Sequence, residues 1–137
     1  MSSKIGLACI IDDDSMYVNL VKKIIEAKNL CQNLMVFKNG KDALSYFEVI
    51  LNNLDKNSIP EIIFLDINMP IMDGWEFLDS FTKIKNKLGK AITLYIVSSS
   101  INPADIERAK NINTVKDYLI KPVTIDDLEA IFLSQTV

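Results

Sequence analysis

The chain has 137 residues, 49% hydrophobic and 24% charged, with a net charge of −3, which fits one globular domain burying roughly two-thirds of its unfolded surface without covalent staples. The acidic balance argues against non-specific nucleic-acid binding, which needs clustered Lys and Arg, and no apolar stretch approaches the ~20 residues of a membrane span. The complete absence of histidine excludes His-ligated zinc, Ser-His-Asp or Cys-His catalysis, and a phosphohistidine carrier.

Met1-Ser2-Ser3-Lys4 leads straight into a strand-like run, so no leader peptide is expected. Ile5 to Ile11 is almost unbroken apolar sequence, as expected of a strand buried on both faces. Cys9 lies inside it and reads as a small core residue. Neither Cys9 nor Cys31 has a CxxC partner, so reduced thiols in the cytoplasm are expected.

Residues 15–29 carry Met16, Leu20, Ile24 and Tyr17, Val21, Ile25 at helical spacing. Leu34 to Phe37 predicts a short strand closed by Asn39-Gly40. Residues 41–54 place Leu44, Phe47, Leu51 and Leu54 on one helical stripe, and Asn52 to Pro60 is a polar loop. Ile62 to Leu65 is again apolar throughout. After a loop to Gly74, Trp75 to Leu88 predicts a helix with Leu78, Phe81 and Leu88 inward. Ala91 to Val97 is a fourth strand, and Asn102-Pro103 supplies an N-cap and first-turn proline for the next helix. Val115 to Ile120 is a fifth strand. Thr124-Ile-Asp-Asp resembles a capping box opening the last helix, with Asp where Glu or Gln is usual.

Five βα units in succession predict an α/β fold: a parallel sheet with right-handed crossovers and helices on both faces. The expected organisation is a single domain over 1–137 with no output domain. Strand C-termini of such a sheet share one edge, where ligands bind. Asp12 and Asp13 follow the first strand, Asp66 the third, and Lys121-Pro122 closes the fifth. Carboxylates brought together repel unless a cation lies among them, and hard oxygens suit Mg²⁺; a nearby lysine suits a phosphoryl group. An Asp at a strand end is more often a turn former or helix cap, and that plainer reading is preferred for Asp14 and Asp73. Lys83, Lys85, Lys87 and Lys90 read as a solvated helix end.

The segment Phe64-Leu-Asp-Ile-Asn-Met-Pro-Ile-Met-Asp-Gly74 resembles the phosphoacceptor segment of bacterial two-component response-regulator receiver domains, of the stand-alone, chemotaxis-regulator-like kind. The other marks occur in order: Asp12-Asp13, a hydroxyl at Ser98 after strand four, and Tyr118-Leu-Ile-Lys-Pro122. The resemblance covers nearly the whole chain. It implies a flavodoxin-like doubly wound (βα)5 fold with strand order 2-1-3-4-5. It further implies a phosphoryl acceptor at Asp66, and Mg²⁺ held by Asp12, Asp13, Asp66 and the Asn68 backbone carbonyl. Lys121 and Ser98 would contact phosphoryl oxygens, the Lys121-Pro122 bond would be cis, and Ser98 with Tyr118 would form a switch.

The implied partners are a sensor histidine kinase or histidine phosphotransfer protein and an unidentified downstream protein. Neither nucleic acid nor membrane is implied, and the protein is expected as a monomer or phosphorylation-dependent dimer. It would catalyse only its own phosphorylation and dephosphorylation, and would not be a metabolic enzyme.

Three other readings compete. A haloacid-dehalogenase-type Mg²⁺ phosphohydrolase also places a nucleophilic Asp after a strand, but its usual second Asp is Asn68 here. A flavin or nucleotide binder of flavodoxin type fits the topology, but no Gly-rich loop follows strand one. The last is a receiver-like scaffold that is never phosphorylated.

Overall fold

The computed structural model describes residues 5–134; residues 1–4, where the leader expectation falls, and 135–137 lie outside them. Five strands alternate with five helices: β1 (Ile5–Ile11), α1 (Ser15–Ala27), β2 (Cys31–Phe37), α2 (Gly40–Ile50), β3 (Ile62–Leu65), α3 (Gly74–Ile84), β4 (Thr93–Ser98), α4 (Pro103–Lys110), β5 (Val115–Ile120) and α5 (Ile125–Ser134). Short 3₁₀ turns interrupt at Lys56–Ser58 and Lys85–Leu88. All neighbouring strands pair in parallel, in the order β2-β1-β3-β4-β5. This is the doubly wound architecture expected from the sequence.

The central strands are apolar on both faces because the chain alternates between two cores. Cys9, Ile11, Ile63, Leu65, Leu94 and Ile96 face α2 and α3, where Phe47, Phe77 and Phe81 are fully buried. Those rings pack with centroids 5.0–6.3 Å apart, within the range of favourable offset contacts. Ala8, Ile10, Ile62, Phe64, Tyr95 and Val97 face α1 and α5 through Val18, Val21, Ile25, Leu128 and Phe132.

The helix ends follow the local chemistry of the sequence. Asp14, Asn39 and Asp73 cap α1, α2 and α3 through side-chain oxygens, and Asp73 with Glu76 closes a full capping box. Asn102 caps α4 with Pro103 in the first turn, and the Asp127 N–H donates to Thr124 Oγ1 at the start of α5.

Several expectations are corrected. The stripe Met16, Leu20, Ile24 reaches the core only at Ile24: Met16 is 86% and Leu20 52% exposed, and Val18 takes the inward position beside Val21 and Ile25. α2 stops at Ile50, leaving Leu54 exposed. β2 begins at Cys31, three residues early, because pairing with β1 extends from Ile5↔Cys31. β4 runs Thr93–Ser98, starting later than the apolar run. α3 gives way to the 3₁₀ turn at Lys85. Lys90 is no solvated helix end. It donates to the carbonyls of Lys56 and Ile59 at 2.8 and 2.7 Å and pairs with Glu61 at 3.3 Å, and Glu61 in turn accepts from the Gly6 N–H.

Gly74 opens α3 directly beneath the Asp66 loop. A Cβ there would stand 2.5 Å from the Asp66 carbonyl oxygen and 2.7 Å from Ile67 Cα, both backbone atoms that cannot swing aside. At an unconstrained helix position Gly→Ala stabilises by about 0.4–1 kcal/mol. Gly74→Ala is expected to do the reverse, costing about 1–3 kcal/mol by overpacking in a urea unfolding titration.

Candidate phosphoacceptor site

Strand register brings the predicted site residues to one edge. Ile11 pairs with Leu65 and Leu65 with Ile96, so Asp12 and Asp66 leave neighbouring strands at the same level. Ladder hydrogen bonds continue one residue past the strands and fix the backbones there. The Asp12 N–H donates to Phe37 O, Asp66 N–H to Ile11 O, and Lys121 N–H to Ser98 O, each at 2.9 Å. Lys121-Pro122 is cis, as the resemblance implies.

Asp12 and Asp66 are buried, at 2% and 6% exposure, whereas Asp13 is exposed. One carboxylate oxygen from each of the three lies within 4.8 Å of the others. Lys121, its side chain 12% exposed, reaches Asp12 Oδ2 at 2.8 Å and Asp66 Oδ2 at 3.9 Å. The remaining Asp12 oxygen accepts from the Asp14 N–H at 2.9 Å, and Asp66 Oδ1 accepts a long bond from the Asn68 N–H at 3.4 Å. Asp66 is thus the less satisfied of the two buried acids. Burial, then the charge of Asp12, push its carboxyl up to about 6, against the opposing pull of Lys121 and the Asn68 N–H; Asp13 adds to the rise.

With all groups ionised, three carboxylates and one ammonium leave two uncompensated negative charges. A small divalent cation that prefers oxygen ligands and retains several waters fits this donor set.

Ser98 ends β4 and is fully buried, its Oγ accepting from the Ser100 N–H at 3.1 Å. Tyr118 is half-buried, and its hydroxyl donates to the Ser100 carbonyl at 2.8 Å. Ser100 Oγ also donates to Asp105 Oδ2 at 2.7 Å. The two expected switch residues are therefore joined through the backbone of Ser100, a link that sequence spacing alone does not reveal. Asp14 and Asp73 are caps, as the plainer reading held. Trp75 is a packing residue with the Arg108 guanidinium 4.4 Å from its ring centroid.

One contact at the site escaped the sequence reading. Tyr17, assigned only to a helical stripe, presents its ring to Lys121 with Nζ 4.7 Å from the centroid. A polar-tipped aromatic one turn after the acidic pair was the available signal.

Comparison with known proteins agrees with this geometry. A solved two-component response regulator from Cytophaga hutchinsonii superposes with a TM-score of 0.84 at 27% identity, covering 97% of this chain and 98% of that one. The "Probable methanogenesis regulatory protein FilR2" of Methanothrix harundinacea is 28% identical over 120 residues, 88% of this chain and 74% of that protein. The protein-glutamate methylesterase/protein-glutamine glutaminase of Methanococcoides burtonii is 25% identical over 123 residues, but the chain spans only 31% of its length. None of these matches supports the haloacid-dehalogenase reading. The family model described as the response regulator receiver domain matches residues 8–133, and the chain belongs to that family.

Proposed function

We propose that this receiver takes a phosphoryl group onto Asp66 from the phosphohistidine of a sensor histidine kinase or phosphotransfer protein, and signals by protein contact. The observation that carries the proposal is the pairing of a buried, incompletely satisfied Asp66 carboxylate with the Lys121 ammonium, beside two further acids at one sheet edge. An Asp66 oxygen attacks phosphorus in line and an acyl phosphate O–P bond forms. The P–N bond breaks, its electron pair returns to the imidazole nitrogen, and the imidazole takes up a proton. Lys121, already 3.9 Å from Asp66, donates to the phosphoryl oxygens as their charge grows. Ser98 turns its hydroxyl from accepting the Ser100 N–H to donating toward the phosphoryl group.

Asp12, Asp13, Asp66 and the Asn68 carbonyl would hold Mg²⁺, which supplies charge neutralisation for the phosphoryl oxygens when bound. Water attacking the acyl phosphate reverses the modification, so the only turnover is the protein's own phosphorylation and dephosphorylation. The acyl phosphate carries close to two negative charges where the Asp66 carboxylate carried one. They bias Ser98, Ser100 and Tyr118 between two arrangements that an unidentified downstream protein reads on the α4-β5-α5 face. Among the described residues no helix is long and apolar enough to cross a membrane. We place the protein in the cytoplasm, acting without nucleic acid or membrane, as a monomer or a phosphorylation-dependent dimer.

Incubation with Mg²⁺ and acetyl phosphate, read by intact mass, is expected to add one phosphoryl group to the wild type and none to Asp66→Asn. Equal labelling of both would move the acceptor elsewhere. Loss of labelling in EDTA is expected as well.

The raised Asp66 pKa makes a second prediction. Between its ordinary 3.8 and about 6, the folded state binds the proton more tightly than the unfolded chain. The contribution of this group to stability is therefore full below the lower value and lost as pH rises through the upper one. The lost amount is about 3 kcal/mol. In EDTA, Asp66→Asn is expected to be more stable than wild type, by a margin that widens from about pH 4 to about pH 7 in urea titrations. Mg²⁺ is expected to raise the Tm of the wild type more than that of the variant.

A further inference from the structure

The Lys121 ammonium is nearly excluded from water, its side chain 12% exposed, and its charge needs partners on every side. Asp12 Oδ2 satisfies one direction at 2.8 Å, and Asp66 Oδ2 stands off at 3.9 Å. The third direction is closed by the ring of Tyr17, 4.7 Å from Nζ to centroid, inside the range where an aromatic face attracts a cation. Tyr17 lies in the first turn of α1, and its hydroxyl feels the backbone dipole of Val123, two residues beyond Lys121. One ring thus faces the reactive end of the lysine from the helix that follows the acidic pair. We infer that Tyr17 is a positioning residue whose ring holds the Lys121 ammonium toward Asp66 for phosphoryl transfer.

This rests on the phosphoacceptor reading above and goes beyond it, because Tyr17 is outside the acidic and hydroxyl set. The physical need is specific. A lysine with four rotatable bonds, paired most closely with Asp12, is held by a contact that depends on Asp12. Carboxylates that engage a cation have less to offer the ammonium. A ring face does not compete for a hard divalent ion, so its attraction for Lys121 persists. Burial pushes the Tyr17 hydroxyl up to about 12, with the charge of Asp12 adding to the rise. The ring therefore stays a neutral phenol and does not become an anion that would draw the ammonium away from Asp66.

The test compares wild type, Tyr17→Phe and Tyr17→Leu, alone and in a Lys121→Met background. Acetyl phosphate labelling rates and Mg²⁺ affinity are measured, the latter by isothermal titration calorimetry. Tyr17→Leu is expected to slow labelling by about tenfold with Mg²⁺ affinity within about twofold, and Tyr17→Phe to recover most of the rate. In the Lys121→Met background, Tyr17→Leu is expected to cause no further loss. In EDTA, the Lys121 ε-methylene proton resonances should lie upfield of ordinary lysine values in wild type and Tyr17→Phe, and return to them in Tyr17→Leu.

An unslowed Tyr17→Leu would overturn the inference. So would a Tyr17→Phe as slow as Tyr17→Leu, a loss that adds to that of Lys121→Met, a Mg²⁺ affinity that falls in step with the rate, or ordinary ε-methylene shifts in wild type. Failure of the wild type itself to label would instead overturn the phosphoacceptor reading.

Discussion

The proposed chemistry of this chain depends on holding like charges together at one sheet edge. Three carboxylates with oxygens within 4.8 Å of one another are an arrangement that folding must oppose with other interactions. The opposition comes from the two cores, which fix the strands, and from ladder bonds at Asp12, Asp66 and Lys121 that run past the strand ends. A backbone pinned on a twice-covered sheet cannot relax to separate the acids. Lys121 relieves part of the repulsion, most of it at Asp12. The remainder falls on Asp66, whose pKa is raised first by burial and then by the charges of Asp12 and Asp13. The group left in electrostatic debt is the one for which a cation and an electrophile have most to offer.

Much of this was legible in the sequence, for a physical reason. Strands buried on both faces are written as short apolar runs, and a charged residue at the end of such a run marks its exit from the sheet. Asp12, Asp66 and Lys121 each sit at such an exit, so parallel pairing alone gathers them. Parallel register needed no further information, because Ile11, Leu65 and Ile96 are the residues that align. Helix faces were less legible. α1 carries apolar residues at Met16, Tyr17, Val18, Leu20, Val21, Ile24 and Ile25, more than one face can bury, and periodicity cannot choose among overlapping stripes. The sheet chose Val18, Val21 and Ile25. Lys90 was misread for a related reason: its partners are backbone carbonyls of a loop more than thirty residues away, and carbonyl direction leaves no trace in residue type. Tyr17 was missed because an aromatic on an apolar stripe looks like core until the strand-five turn is placed beside it.

The loop that follows Asp66 shows how packing and chemistry constrain one another. Asp73 and Glu76 cap α3 reciprocally, and the Gly74 N–H donates to the Ile67 carbonyl at 3.0 Å, so the start of the helix lies against the backbone leaving Asp66. Gly74 has no Cβ to resist that approach. The consequence is that the chain between Asp66 and α3 is closed on itself by local bonds, and the Asn68 backbone is held where its N–H meets Asp66.

The link from Ser98 to Tyr118 runs through one residue, and its polarity decides what a charge at Asp66 could do. Ser98 Oγ now accepts from the Ser100 N–H, which leaves its own proton free for a new acceptor. The Ser100 carbonyl, on the same peptide segment, is the acceptor for the Tyr118 hydroxyl, and its side chain is tied to Asp105 in α4. Any movement of Ser98 toward a phosphoryl oxygen therefore pulls on a segment already bonded to β5 and α4. Hydrogen bonds of this kind contribute about 1 kcal/mol each, so exchanging one or two of them suffices to shift a two-state balance severalfold, with no change in the packed core beneath.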